Sequence, residues 1–488
     1  MNKKTTRQKK KSNLQGGFIA AYALVTAAVV TTLLTGLLVF VSVAQRRSSD
    51  EISRQQALQF AESGVYFYKW YLAHNLDGKN AQQIRNFWDS GTAYGDVTPY
   101  EVEVTDKDGN AVGKYKLTVT IPNPDSTIAS VESTGWTYRH PDIKRSVKVR
   151  FRRASWSEFS VLANDAIRFG SGTNTQGPIH SNGGIRFDGV ANNQISSSVA
   201  TYIDPDTGIN RPGVWTSQAD EDAVFLAGTK FPVAAVDFNG VTTDLALIKS
   251  EAVANGLYFG GDTYSTSVCG WVFVGWPIWW QWQCNTQQEP VAGYHITLRA
   301  DDKIEKRLVY TRGSSTFNII SQSAVEVFDI PANGLVFVED NAWVDGIIDT
   351  ARVTIASANL ASDVIETDIY INNDIRYTHT DGQEVIGLIA ENDISVGLYS
   401  ENDLRIDAAL LAQNGRVGRD HYGFSNYRWR NTITVYGSIA TNHRYGFAWT
   451  DGTGYTTRNL FFDNNLLYTP PPFFPTGNTY ELDLWEDL

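Results

Sequence analysis

GGFIAAYALVTAAVVTTLLTGLLVFVSVA, residues 16–44, is an apolar run without one charged side chain, and it decides how the rest of the chain is placed. A helix rises about 1.5 Å per residue, so this run spans the roughly 30 Å hydrocarbon core of a bilayer. Lys3, Lys4, Arg7, Lys9, Lys10 and Lys11 precede it with no acidic residue among them, whereas only Arg46 and Arg47 follow closely. That imbalance predicts a single pass with the amino terminus in the cytoplasm and the carboxy-terminal bulk outside. The run is too long for a cleavable secretory signal, whose apolar core covers roughly 7–15 residues.

Between the basic head and the apolar run stands Gln15-Gly16-Gly17-Phe18. Glycine at this point is expected to break the helix before it starts and to leave extended backbone open to a protease on the cytoplasmic face. Cleavage after Gly17 would make Phe18 the new amino terminus. The segment KKKSNLQGGF, residues 9–18, followed by an unbroken apolar helix, resembles the class III leader of type IV pilins and pseudopilins. RQQALQFAESG, residues 54–64, resembles the Ala-Glu-Ala/Ser-Gly segment of PilX-type minor pilins. The resemblance is specific over residues 1–85 and looser beyond. It implies a prepilin peptidase, other pilin subunits and the pilus assembly machinery as partners, and a path from the inner membrane to a pilus or cell surface. One position departs from the family pattern. Such pilins carry Glu at the fifth mature position, where it neutralises a neighbour's amino terminus inside an apolar filament core; this chain has Tyr22. An unpaired buried charge is costly, so the departure argues against a self-stacking major subunit, and because members of the tip-most pseudopilin class also lack that Glu, the resemblance implies a low-copy, tip-located one.

The chain of 488 residues is too long for one ordinary domain, and its 42% hydrophobic content is ample for a core. Its net charge is −12, and removing the six cations of the leader gives −12 − 6 = −18 for the mature side chains. That balance argues against nucleic acid as the main partner. Aromatic content of 12% with only 19% charged residues is the profile of a β-rich exported protein.

After the membrane run, residues 48–85 keep a helical period, with Ile52, Ala57, Leu58, Ala61, Val65, Tyr68, Trp70 and Leu72 recurring near three and four. The aromatic run Tyr66, Phe67, Tyr68, Trp70 and Tyr71 is expected to dock the globular part. Residues 99–153 alternate with period two in four stretches, and Asp108-Gly109 supplies a turn between the first two. From Trp156 a motif returns: LANDAIRF from 162, HSNGGIRF from 180, YINNDIRY from 370, IAENDISV from 389, YSENDLRI from 399, LLAQNGRV from 410 and IATNHRY from 439. Short apolar strands joined at Asn or Gly corners read as coils of a parallel β-helix. The expected fold is therefore mainly β: a leader (1–17), one long transmembrane and amphipathic helix (18–85), a small antiparallel domain (86–155), first coils (156–189), an insertion (190–331), further coils (332–467) and a Pro-rich tail (468–488) covering an end or flank. A helix within 233–257, with Leu245, Leu247, Ile248 and Val253 inward, belongs to the insertion.

Within that insertion, Cys269 and Cys284 flank a Trp-rich loop. Two nearby thiols outside the membrane are expected to pair, and closing a loop of this size contributes about 3 kcal/mol. Trp271, Phe273, Trp276, Ile278, Trp279, Trp280 and Trp282 are large apolar groups in one short segment, and Trp276, Trp279, Trp280 and Trp282 are the candidates for contact with a surface glycan or another cell-surface ligand. The competing expectation is that Trp271, Phe273 and Trp279 pack on the solenoid as an ordinary hairpin.

For catalysis, Asp374, Asp393, Asp403 and Asp407 with Arg376 and Arg405 have the makings of a lyase-like or glycosidase-like site. Yet these aspartates fall at one register of successive repeats, which corner ladders also produce, and His180, His421 and His443 read as corner or surface residues. No nucleophile elbow, zinc-protease helix or P-loop occurs. The expectation is a non-enzymatic, pilin-like subunit without cofactor or metal, used in adhesion or assembly priming. Two alternatives stand beside it: a membrane-anchored β-helix enzyme acting on polysaccharide, and a signal-anchored surface protein with no pilus.

Overall fold

The structure, a computed structural model, describes residues 15–122, 126–238, 241–276, 279–361, 366–423 and 425–488. The basic head of the expected leader, 1–14, lies outside the described residues, as does Ile278. The architecture is one long amino-terminal helix, a small antiparallel sheet and a large parallel-stranded solenoid.

Helix α1 runs Gln15–Leu76 without interruption. Gly16 and Gly17 thus lie in its first turn, which corrects the expected break. A helical glycine costs about 1 kcal/mol relative to alanine, and the long run of Ala, Leu and Val behind it propagates the helix regardless. Nor does α1 continue to residue 85. It stops before Gly78, whose φ of +66° suits glycine, and a second helix, α2, Ala81–Asp89, starts at Asn80. Asn80 accepts from the Gln83 backbone at 2.9 Å while the Gln83 side chain accepts from the Asn80 N–H at 3.1 Å, a reciprocal cap.

The two halves of α1 live in different surroundings. From Phe18 to Val43 the apolar side chains are exposed, and this is the one helix among the described residues long and apolar enough to cross a membrane. From Ala57 the face changes: Ala57, Ala61, Val65, Tyr68, Leu72 and Leu76 are buried at helical spacing against the sheet. Ile52, Tyr66 and Trp70, expected inward, are exposed instead. At 100° per residue they fall on the side opposite Val65 and Leu72.

The sheet is built from β1 (Tyr100–Thr105), β2 (Ala111–Thr120), β3 (Ile128–Thr137) and β4 (Lys144–Ser155), all antiparallel. A fifth strand, Thr476–Asp487, adds to the free edge of β4, so the carboxy terminus returns to this sheet. The sequence places the tail on an end or flank of the solenoid. Residues 470–474 do lie along its flank, where the carbonyls of Pro470 and Pro472 accept from Arg352 and Thr354. The alternating Tyr480, Leu482 and Leu484 then continue as a strand, and Tyr480 joins the core under α1.

The solenoid is not wound from one end to the other. On its doubly buried face the stacking order runs Leu257–Phe259, Leu335–Val338, Arg352–Ser357, Val385–Ala390, then the end of Asp403–Ala412 and the end of Trp429–Thr441, and next to these Val161–Ala163, Ile179–Ser181, Ile195–Ser197 and Thr229–Lys230. The chain thus enters in the middle and winds outward to residue 230. Helix α3, Val241–Asn255, then packs along the outside against Leu335 and Phe337, and winding resumes at the opposite end. The last coil closes on the first, with Ile439 opposite Val161 in parallel register.

This corrects the expected insertion. Residues 190–197, 214–215 and 229–230 pair in parallel with earlier coils and belong to the stack. Their strands are only two or three residues long, too short for a period to declare itself. Of the α3 residues expected inward, Leu245 and Ile248 are buried and Val253 is exposed. One face of the stack is covered inside by Val336, Ile355, Leu388, Leu410 and Ile439, and outside by α3, Leu466 and Phe474. Burial on both sides explains the unbroken run VIGLIA, residues 385–390, all of it buried.

Candidate functional site

Two groups of residues were singled out by chemistry: the corner carboxylates and the Trp-rich loop. The structure gives them opposite characters.

At the corners, side chains bond from coil to coil. Asn182 donates to the Asn164 Oδ1 at 2.8 Å, Asn164 to the Asn442 Oδ1 at 2.8 Å, and Asn442 to the Asn414 carbonyl at 3.3 Å, a ladder that crosses the junction of first and last coils. Asp393 Oδ1 accepts the backbone N–H of Arg416 at 2.7 Å, and Asp374 Oδ1 that of Arg405 at 2.7 Å. Asp407, fully buried, accepts from the Tyr377 N–H and from Arg405 Nε. Burial pushes the Asp393 and Asp407 carboxyls above the usual carboxylate range; the bonds from Arg416 and Arg405 oppose it. Asp374, Arg376, Arg405 and Asp407 are neighbours, Asp393 sits at another corner beside Asp368, and Asp403 is exposed. Asp374, Asp393 and Asp407 each tie one coil to the next. Asp393→Ala and Asp374→Ala are expected to lower stability alike, by about 1–3 kcal/mol, because each orphans a backbone N–H. Thermal unfolding of the two variants checks this; a loss of polysaccharide cleavage with unchanged stability would speak for catalysis instead.

His180 is buried between the Ser196 Oγ at 3.0 Å and the Asn182 Oδ1 at 3.2 Å, and burial holds its imidazole below the ordinary value. His421 is exposed beside Asp451. The sequence reading missed one juxtaposition: Asp349, His379 and Glu384 bring one donor atom each within 4.8 Å. His379 Nδ1 is 3.1 Å from Glu384 Oε1, which also accepts the His379 N–H, so the pair closes its own turn. Another feature not legible in the sequence is a cleft of about 920 Å³ where the first and last coils meet, lined by Arg168, Arg186, Asp188, Asp206 and Arg444. Of these, Arg444 and Arg168 both hold Asp206, keeping its carboxyl below the usual range, and Arg186 holds Asp188 at 2.9 Å; Arg458, also in the lining, bonds to Thr173 and to the Tyr455 and Thr456 carbonyls.

The Trp-rich loop is a hairpin. Strands Thr263–Gly275 and Trp279–Pro290 pair antiparallel only with each other, and Cys269 and Cys284, directly opposite, are joined by a disulfide. At roughly 3.3 Å per residue the ribbon is about 40 Å long. Its base is held by Tyr264 stacked on Tyr310 at 4.6 Å. The expectation that Trp271, Phe273 and Trp279 pack on the solenoid is not met, since all three are exposed, as are Trp280, Trp282 and Trp276, the last at 91%. The rings pack on one another instead: Trp271 meets Trp282 edge-on at 5.5 Å and Phe273 meets Trp280 at 5.7 Å. Strand alternation puts these four rings on the same face as the disulfide, while Val272, Gln281 and Gln283 share the other. An isolated two-stranded ribbon is marginal in water, so the cross-link and the ring pairs hold it where no core does.

No protein-family model matches the sequence, and a search of curated sequences finds no match. Among solved structures, the chain is similar to the competence-associated pilin ComZ from Thermus thermophilus at 13% identity and a TM-score of 0.32, over 89% of this chain and 97% of that one.

Proposed function

We propose that this chain is a non-enzymatic, pilin-like subunit, PilX-like in its amino-terminal segment. It is low in copy, sits at the tip of a type IV pilus or pseudopilus, and displays the solenoid for adhesion or assembly priming. The observation that carries the reading is the division of α1 into a naked apolar half and a half packed under its own sheet. The naked half needs a bilayer or neighbouring helices around it, since exposed apolar area costs about 25 cal/mol per Å² in water. Such a helix passes from one surrounding to the other without refolding. Tyr22, exposed on that half, offers no carboxylate to a neighbour's amino terminus, which supports the low-copy placement. The reading rests on the chain's own helix and leader rather than on the distant likeness to ComZ. The solenoid's corner carboxylates, tied from coil to coil, support a display role over catalysis.

Shearing filaments from cells and measuring this chain against the major subunit tests the proposal. It predicts that the chain is present in the sheared fraction at far below stoichiometric amount. A chain that stays wholly with the membrane would favour the signal-anchored alternative.

A further inference from the structure

The hairpin Thr263–Pro290 is where this molecule breaks the ordinary rules of a soluble surface. Monomeric proteins rarely leave a contiguous stack of large rings in water, and here the exposed rings cover one face and the tip of a ribbon that, among the described residues, pairs with no other strand. From residue 263 to residue 288 there is no charged side chain; Glu289, at the base, is the first. The ribbon's two faces differ. One face carries Trp271, Phe273, Trp280, Trp282 and an apolar disulfide, and the other is mixed, with Gln281, Gln283 and Asn285 beside the exposed Val268 and Val272.

Three kinds of occupant are conceivable for such a face, and charge and geometry choose among them. A glycan platform sets one or two rings flat beneath the sugar and surrounds them with groups that bond its hydroxyls. On this face the rings meet each other edge-on, and beside them Cys269 and Cys284 are joined as a disulfide. A protein partner would be expected to find charged or polar rim residues that fix orientation, and the outer half of this ribbon has no charge with which to do so. A bilayer interface asks for the opposite set: large rings with indole N–H groups at headgroup depth and no charge to desolvate. Among the described residues none accepts a hydrogen bond from the indoles of Trp271, Trp276, Trp279, Trp280 or Trp282, and lipid carbonyls and interfacial water supply such acceptors. The ribbon's two outer edges keep unpaired backbone groups, which forbids passage into the hydrocarbon core and limits docking to the boundary layer.

We propose that the hairpin is a lipid-docking element whose aromatic face and tip seat in the headgroup–acyl boundary of a bilayer. The bilayer is either the one that holds α1 or one facing it; the chemistry is the same. Because the segment is uncharged, docking does not require anionic lipid and does not weaken with salt. The inference rests on the hairpin as the contact point of the displayed solenoid and is independent of whether the chain enters a filament.

Residues 18–44 contain no tryptophan, so brominated lipid, which quenches indole fluorescence on contact, reads the head rather than the anchor. The full chain is held by α1 in a phosphatidylcholine nanodisc. Brominated acyl chains are placed either in that disc or in separate phosphatidylcholine vesicles added to it. The expected result is quenching in one of the two arms, unchanged at 1 M salt; because the variant Trp271→Ser/Trp276→Ser/Trp280→Ser/Trp282→Ser removes four reporting indoles, it is compared on Trp279, exposed near the tip and kept in every variant, whose quenching is expected to fall about tenfold. Gln281→Ser/Gln283→Ser, on the other face of the same ribbon, is expected to keep it, and a Cys269–Cys284 disulfide still formed in the ring variant, read by mass after thiol alkylation, separates a lost face from an unfolded hairpin. No quenching in either arm, or equal quenching in both variants, would overturn the proposal. So would vesicle binding that appears only when a glycolipid is included, since that assigns the face to a sugar.

Discussion

Gly135→Val is expected to lift the long helix off its sheet. Gly135 lies on β3 beneath α1, and a Cβ built there falls 2.2 Å from the Ala57 carbonyl oxygen and 2.6 Å from the Ala61 nitrogen. Both obstacles are helix backbone, which cannot swing aside as a side chain does. From the other partner, Gly64 on α1 leaves only 2.3 Å to the Ser133 Oγ and 2.8 Å to Tyr115. Two glycines facing each other's elements let helix and sheet approach closely enough for Ala57, Ala61, Val65, Tyr68 and Leu72 to be buried together. Overpacking in an adaptable core costs about 1–3 kcal/mol, and a clash against backbone belongs at or above the top of that range. Limited proteolysis of the full chain in detergent measures this: cleavage within residues 48–76 should accelerate by at least about tenfold, while the solenoid, whose buried clusters are separate from the one under α1, stays resistant. Unchanged cleavage in that segment would contradict the account of how the anchor carries the head.

Removing residues 468–488 is expected to damage two cores at once. Phe474 is buried with Leu245, Ile248 and Leu466 on the solenoid flank, and Tyr480 is buried with Tyr68 and Phe151 beneath α1, its hydroxyl accepting from Trp88 Nε1 at 3.0 Å. Deleting one large buried aromatic side chain costs about 3–5 kcal/mol, and these two lie in different clusters, so their losses add. The truncation also strips the strand Thr476–Asp487 from β4 and leaves its edge unpaired, an invitation to aggregate. The truncated chain should therefore unfold at a lower temperature in both modules and bind a dye that reports exposed apolar surface. A thermal midpoint within a degree or two of the full chain would show that the tail is decoration rather than a strap.

What the sequence made legible were features with a period or a composition. The uncharged run 16–44, the stripe from Ala57 to Leu72, the four alternating strands and the Asn-cornered repeats all exceed the length at which side-chain pattern reports burial. Their outlines are those the structure displays. What escaped was order in space. Nothing in Val161–Ala163 or Ile439–Thr441 says that each is the other's neighbour, because a parallel solenoid coil fits any coil of like width. The short coils at Val190, Ile195 and Val214 carried too few residues to show a period. The tail's prolines masked the alternation of Tyr480, Leu482 and Leu484. For the hairpin, composition revealed that something unusual stood there, yet only the in-register pairing Cys269–Cys284, Trp271–Trp282 and Phe273–Trp280 shows that the rings share one exposed face.

The most direct test of the central claim is the mass and amino-terminal sequence of this chain from cells with and without a prepilin peptidase. The account predicts a chain beginning at Phe18 only when the peptidase is present, and the full leader from Met1 when it is absent. A chain beginning at Met1 in both would contradict it and leave a membrane-anchored solenoid whose head works from the membrane itself.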